Sequence, residues 1–510
     1  MRRTGTARWR PVRAACEHDR VSEAIAWYPW STEAFARAHA TRRPVLLVIV
    51  ASWSAACRLL EQEVLADPRV ARLVRDRVVP VCVDADRRPD LADRYGAGGW
   101  PTTMLLTADG DPLCGGTFVD AERLAATMTD AADRCQRDAA GIRALAIEAR
   151  RARQAKEAEE ARLRSDSDSH SGAAEEAEAL GWIASLVLRE YDAVQGGFGA
   201  GAKFPLVAPI AFALHEGQRR ADADLLDVAQ TTLDRMGWGG LSSHAGVEDE
   251  GAFHRMCARA DWSEPDGVHL LEVQADLLRL YLDAWTLTQI DRYRDRARAV
   301  LAYVDRVLHD RAAGAFFNTP SDRVLLTDAN AKMIRALLMA SQVLDDGAYA
   351  EAAARAAERL VPAVYSRGAG VAHLLDTHAR VRGLSSDQVH TSAALFELAL
   401  VTGERTYLDL SDELLRSCLR KSWDAGRGAL VDRLRSSAGA GDVGLLAEPL
   451  RPFALNCEAA RLLQRLGQQT GHAEFTSRAG ELRRWLAATY RTQGLMSAEY
   501  GLVLLDDAAA

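Results

Sequence analysis

Two kinds of hydrophobic pattern divide the chain. Up to about residue 140 the apolar residues come in short unbroken runs, as expected of strands buried on both faces. Residues 44–50 and 78–83 are two such runs, and 104–107 is a third. The turn Asp109-Gly110 and the run 112–118 add a hairpin partner to the third. Helices are predicted between these runs. Ser31 is placed to cap one that includes Glu33, Phe35 and Ala38, and Ser54 to cap one continuing through Leu59, Leu60 and Val64. Asp67-Pro68 opens another, with Asp as N-cap and Pro at the first helical position.

Beyond that point the period changes. Residues 141–164 are rich in Ala, Arg and Glu and read as a charged helix, and Ser165-Asp166-Ser167-Asp168-Ser169-His170-Ser171-Gly172 reads as a flexible polar linker. From about 176 onward almost everything is amphipathic helix. A loop motif recurs six times, a glycine followed by apolar residues: at Gly196, Gly239, Gly314, Gly368, Gly428 and Gly494. Such self-similarity implies stacked helix pairs, none of which buries its apolar face alone. Six pairs closing on themselves form an (α/α)6 toroid. An open solenoid is the alternative, and the count of six with apolar residues on both faces of several helices favours closure.

The most informative local motif is Trp53-Ser54-Ala55-Ala56-Cys57. Strand, tight turn and helix with a thiol in its first turn is the thioredoxin active-site layout, but Ser54 stands where the first cysteine of a C-x-x-C belongs. Dithiol exchange needs an attacking thiolate and a resolving thiol. A serine hydroxyl cannot replace the attacker, so no dithiol oxidoreductase chemistry is expected. Ser54 reads as a helix cap and Cys57 as a core residue. Cys114 lies on a hairpin and is a poor substitute partner. Trp53, Trp100 and Pro101 are the other remnants of the motif, and they could line a groove for an extended peptide.

Composition narrows the function classes. Of 510 residues, 48% are hydrophobic and 26% charged, with net charge −8. That balance gives no basic face for nucleic acid, and the Arg-rich first thirteen residues read as a solvated tail. No run approaches the roughly 18–20 apolar residues of a membrane span, and no apolar signal-peptide core follows the basic start. A cytoplasmic location is therefore expected. The eight cysteines form no C-x-x-C and no zinc-finger spacing. No His/Asp/Glu group has metal-ligand spacing along the chain, and no phosphate-binding glycine loop occurs, so neither metal nor cofactor is expected.

Read together, the motifs resemble the spermatogenesis-associated-protein-20-like family, in which a thioredoxin-like domain precedes a six-hairpin (α/α)6 domain. The resemblance rests on Trp27-Tyr28-Pro29-Trp30, Asp67-Pro68-Arg69-Val70, Asp84 with Arg88-Pro89-Asp90, Gly98-Gly99-Trp100-Pro101-Thr102, Lys203-Phe204-Pro205, Phe253-His254-Arg255 and Leu326-Thr327-Asp328 with Asn330. It implies a thioredoxin-like domain at 20–140, a charged helix and linker at 141–175, and a toroid at 176–505, with Pro101 in the place of the loop proline that thioredoxins hold in cis. The chain also departs from the family. The family's two cysteines are here Ser54 and Cys57, its Pro-His-Phe-Glu-Lys block is Pro265-Asp266-Gly267-Val268-His269, and only residues 318–322 stand where most members carry a long segment. This is a shortened, divergent member.

By analogy with other toroids of helical hairpins, the rim loops build a funnel that binds a carbohydrate or another polar small molecule. His254, Arg255, Asp328 and Lys203 are the catalytic candidates, with His254-Arg255 as the best pair. Phe204, Trp262, Asp266, His269, Asn330 and Asp387 are candidate ligand contacts, with Asp261 and Trp238 behind them. His254 and Asp328 are expected to converge on the central cavity. The alternative is a non-catalytic binding or scaffold protein that holds a protein partner in the thioredoxin groove.

Overall fold

The computed structural model describes residues 25–165, 172–244, 248–375, 381–434 and 442–509. The basic N-terminal tail, Cys16 and most of the polar linker lie outside them. Two compact units are present: Met1–Ala158 with Ser436–Pro449, and Glu159–Arg435 with Leu450–Ala510. Among the described residues no helix is long and apolar enough to cross a membrane.

The first unit is a thioredoxin-like α/β layer structure. Its elements are α1 (Thr32–Thr41), β1 (Val45–Val50), α2 (Ala55–Leu59, continued by a π-helical stretch Leu60–Leu65), α3 (Pro68–Arg77) and β2 (Val79–Asp84). There follow α4 (Pro89–Tyr95), β3 (Thr102–Leu106), β4 (Pro112–Gly116), α5 (Ala121–Arg137) and α6 (Ala139–Ser165), the last of which continues past the unit's boundary at Ala158. The sheet order is β2-β1-β3-β4, with β1 and β2 parallel and the other pairs antiparallel. Every residue of β1 is buried because helices cover both faces. Val45, Leu47 and Ile49 pack with Phe35, Leu91 and Tyr95. Leu46, Val48 and Val50 pack on the other face with Leu60, Val70, Val74, Leu124 and Met128.

One part of this unit comes from far along the chain. A 3-10 turn, Gly444–Ala447, inserts Leu446 into the core beside Tyr95. The Tyr95 hydroxyl donates to the Gly110 carbonyl at 2.8 Å and accepts from the Leu445 amide at 2.8 Å. Arg94 donates to the carbonyls of Leu445 and Glu448, and Arg153 holds the Glu448 carboxylate through two nitrogens.

The second unit is an (α/α)6 toroid. Its helices are α7 (Ala173–Glu190), α8 (Val207–Arg220), α9 (Ala223–Trp238), α10 (Leu271–Thr288), α11 (Asp291–Tyr303) and α12 (Thr327–Val343). They continue with α13 (Gly347–Val364), α14 (Ser385–Thr402), α15 (Arg405–Ser422), α16 (Phe453–Thr470), α17 (Ala473–Thr489) and α18 (Ala498–Ala509). Helices α8, α10, α12, α14, α16 and α18 each pack on the next, and α18 returns to α8, so the inner ring closes. Helices α9, α11, α13, α15 and α17 back the first five, and α7 backs α18. At the C-terminal ends of the inner helices the connections are tight, at 221–222, 289–290, 344–346, 403–404 and 471–472. Gly403 and Gly471 take the left-handed conformation that ends α14 and α16. The long loops therefore gather at the N-terminal ends of the inner helices.

A repeated side-chain device fixes those loops. Four residues after the N-cap of α10, α12, α14 and α16 stand the buried amides Gln274, Asn330, Gln388 and Asn456. Each amide oxygen accepts from one loop N–H, on Phe253, Phe316, Val371 and Leu430 respectively, at 2.8 Å. Each amide nitrogen donates back to that same residue's carbonyl. It also donates to the carbonyl of the helix's own N-cap residue. A second device stitches neighbours together. The first N–H groups of α10, α12 and α14 donate to the carbonyls of Asn318, His373 and Asp432, each in the loop that leads to the following inner helix. These bonds satisfy N-terminal amides that a helix cannot satisfy internally.

Gln388→Ala removes three buried hydrogen bonds and leaves the Val371 N–H and C=O without partners. We expect it to destabilise the chain by about 2–4 kcal/mol in urea unfolding. A change below about 0.5 kcal/mol, the scale of an ordinary surface substitution, would show that the clamp holds nothing.

Candidate functional site

The thioredoxin-like motif has a closed geometry. Ser54 is the N-cap of α2, and its hydroxyl accepts from the Cys57 amide. Cys57 is buried, its sulfur accepts from the Ala51 amide, and burial raises its thiol pKa. Trp53 is buried with its indole N–H on Asp86 at 2.7 Å. The Trp100–Pro101 peptide is cis. Nothing here provides an exposed, acidic thiol.

In the toroid, several sequence candidates are committed to the scaffold. Lys203 is fully buried, its ammonium 2.8 Å from Asp192 and 2.7 Å from the Gly199 carbonyl, so it pins a loop. Trp262 is buried against Gly197 and donates to the Gln195 carbonyl. Asn330 is one of the four clamps. Asp261 is exposed and bonds the neighbouring Ser263. His254 and Arg255, adjacent in sequence, face different partners. Arg255 pairs with Asp266 at 2.8 Å and lies over the ring of Phe204, whereas His254 turns to Ser243.

Among the described residues two compact clusters of donors remain, each at the N-terminal end of the inner ring. The first joins Asp249, His254 and His269. The two imidazoles lie 4.5 Å apart between ring centres, and the edge of Tyr303 meets His269. Ser243 Oγ lies 3.2 Å from His254 Nε2 and donates to Asp249 at 3.2 Å. Burial lowers the pKa of both histidines, that of His269 to about 4 with His254 adding to the effect.

The second cluster joins Asp328, His373 and Asp387. His373 Nδ1 is 2.9 Å from Asp387 and 4.0 Å from Asp328. Burial pushes Asp387 up to about 6, against the pull of His373. One turn further along α14, burial and then Lys332 push His390 down to about 4. Asp387 Oδ2 and His390 Nδ1 are both buried without a hydrogen-bond partner. His254 and Asp328 thus belong to separate clusters with no member in common, and the expected convergence of the two on one site is not seen among the described residues.

Charge continues along the inner helices. Arg335 binds Glu397 at 2.8 Å and Glu458 at 2.6 Å, joining α12, α14 and α16. Lys332 reaches Asp276 on α10, Arg461 reaches Asp506 on α18, and His215 on α8 reaches Asp283 on α10. Glu499 on α18 stands differently. Burial raises its pKa to about 7, opposed by Arg461 and reinforced by Glu458.

Sequence spacing missed Asp249, Ser243, His373, His390 and this whole charged face. Asp328 lies tens of residues before His373 and Asp387, and His373 looked like an ordinary polar residue on a loop. A usable signal did exist: Asp328 and Asp387 both fall just before a clamp amide at the start of an inner helix.

The comparisons with known proteins agree with this architecture. A family model described as a DsbH-type thioredoxin, a protein family of unknown function, matches residues 16–136. An uncharacterized protein of Caenorhabditis elegans is 28% identical over 307 residues, covering 56% of this chain and 40% of that protein. Spermatogenesis-associated protein 20 of Mus musculus is 26% identical over 317 residues, covering 58% of this chain and 39% of that protein. The human protein is 26% identical over 322 residues, with the same shares. The chain thus spans about two-fifths of the length of these relatives. Among solved structures, a D-mannose isomerase superposes with TM-score 0.52 at 13% identity, covering 62% of this chain and 86% of that one. A cellobiose 2-epimerase from Bacillus thermoamylovorans gives 0.50 at 13%, covering 58% and 82%. A GH76 α-mannanase of Bacteroides thetaiotaomicron gives 0.50 at 10%, covering 65% and 95%. At these identities the likeness is one of fold.

Two outcomes test these sites. The chain should not sustain dithiothreitol-coupled reduction of an insulin-type disulfide, and turnover abolished by Cys57→Ala would contradict that. For Glu499 the raised pKa means the folded state keeps a proton that the unfolded chain releases, so native stability falls as pH rises from about 4.5 to about 7. Glu499→Gln removes this cost. It should stabilise the chain at pH 8 by on the order of 3 kcal/mol, with the gain shrinking towards zero near pH 4.5. Urea midpoints at the two pH values measure the difference, and a gap independent of pH would refute it.

Proposed function

The chain is a divergent member of the spermatogenesis-associated-protein-20-like family, and we propose that its toroid binds a sugar or similar polyhydroxylated small molecule at the N-terminal end of the inner ring and exchanges a proton with it. The observation that carries this is the pair of buried, unpartnered atoms one turn apart on α14, Asp387 Oδ2 and His390 Nδ1. Nearly all buried polar atoms in folded proteins find a partner. On α14 these two atoms, with the equally open hydroxyl of Thr391, lie beside His373, which pairs with Asp387, and match what a hydroxylated ligand supplies.

Asp387 and His373 are the proton-transfer pair. A carboxyl poised at about 6 against an imidazole 2.9 Å away can give or take a proton near neutral pH. Asp328, part-exposed and next to Lys332, orients the ligand from the α12 side. The fold likeness to a D-mannose isomerase and a cellobiose 2-epimerase supports a carbohydrate as the ligand class, as an analogy of architecture. The competing reading, a protein partner in the thioredoxin-like groove, has less behind it, because Trp53 is buried and tied to Asp86.

The test is a thermal-shift screen of mono- and disaccharides on the full chain. A sugar at a hundred times its Kd stabilises by about 2.7 kcal/mol. We expect at least one to raise Tm, and Asp387→Asn and His390→Ala to abolish the shift. A panel without a hit, or a hit that survives both substitutions, would overturn the reading.

A further inference from the structure

We propose that Asp249, His254 and His269 form a site for one divalent transition-metal ion of the Zn2+ class. Two imidazoles and a carboxylate are a donor set that suits such ions. One donor atom from each residue lies within 4.8 Å of the others. Ligands about 2.0–2.2 Å from a tetrahedral ion stand roughly 3.4 Å apart, so small side-chain rotations close the set.

A second observation points the same way. His254 is 8% exposed and His269 6%, and each has a buried ring nitrogen without a hydrogen bond, Nδ1 of His254 and Nε2 of His269. His269 Nε2 stands 3.3 Å from Asp249 Oδ2 without the alignment of a hydrogen bond. Two neutral rings that merely packed would be expected to satisfy their nitrogens. Here both are left open beside a carboxylate.

The surroundings resemble an outer shell. Ser243 Oγ donates to Asp249 and lies within hydrogen-bond distance of His254 Nε2. If His254 Nε2–H donates to Ser243, the ring is fixed in the tautomer whose Nδ1 lone pair is free, and one hydroxyl orients two ligands. The charges bearing on the two rings are the carboxylates of Asp249 and Asp266. The second cluster differs, because His373 is already bonded to Asp387, and Lys332 stands beside Asp328. Three protein ligands leave a coordination position open, and Asp249, at 35% side-chain exposure, gives that position a path to solvent.

The test uses the full chain, stripped with a chelator, dialysed against Zn2+ for metal analysis and titrated with Co2+ for visible absorption. We expect one ion per chain and the intense visible bands of low-coordinate Co2+. His254→Ala and His269→Ala should each weaken binding at least about tenfold, while His373→Ala leaves stoichiometry and spectrum unchanged. Circular dichroism checks the fold of each variant. If an alanine variant does not fold, the near-isosteric Asp249→Asn takes its place, and it should shift the Co2+ bands and weaken binding. Absence of stoichiometric Zn2+ or Co2+ binding by the unmodified chain would overturn the proposal. So would binding that Asp249→Asn and His269→Ala leave intact, or that His373→Ala removes.

Discussion

The toroid depends on one requirement: a closed ring of parallel inner helices leaves many helix N-termini at one end, and their amide groups need partners. The chain meets it with side-chain amides and with neighbouring loops. Gln274, Asn330, Gln388 and Asn456 each hold a loop backbone as a third strand would, and the first amides of α10, α12 and α14 bond the loop of the next hairpin. Each unit is thereby tied to its successor through main-chain geometry, independent of which side chains the loops carry. The loops can change their chemistry while the frame stays fixed, as expected of a scaffold on which functional residues are grafted.

That order gives the unsatisfied atoms their meaning. Along this rim, Thr327 and Ser385 even use their hydroxyls on the carbonyls of Ala372 and Val431. Beside these bonds a group of buried atoms stays open: the nitrogens of His254, His269 and His390, the hydroxyls of Tyr303 and Thr391, and Asp387 Oδ2, as do others away from the rim such as Trp30 Nε1 and Thr103 Oγ1. The inner helices extend the contrast. Ion pairs such as Arg335 with Glu397 and Glu458 are costly to desolvate, and replacing them with packed apolar residues is often neutral or better for stability. Their presence around the ring fits a polar interior that meets a polar ligand more readily than a core built for stability alone.

The fold was legible because it rests on periodicity. Unbroken runs marked the buried strands, Ser31, Ser54 and Asp67 did cap helices, and six glycine loops counted the hairpins. The site was legible only in part, because proximity in a ring is set by closure rather than by sequence distance. His373 and Asp387 meet across a loop, and Asp328 joins them from another helix. Motif residues misled for a related reason. Lys203, Trp262 and Asn330 sit in recognisable blocks because the frame needs them, and a motif read from sequence does not separate frame from function. The return of Gly444–Ala447 to the first unit had no signal at all, since a short 3-10 turn with one buried leucine has no periodicity to detect.

The two units differ in how their polar groups are satisfied. In the thioredoxin-like unit the residues at the motif position have structural partners: Ser54 caps a helix, Cys57 accepts from a backbone amide, and Trp53 is bonded to Asp86. The motif presents no exposed, acidic thiol. In the toroid, His269 lies against His254 and Asp249 with a nitrogen to spare. Among the described residues, the buried imidazole nitrogens left open on His254, His269 and His390 lie at the N-terminal end of the inner ring.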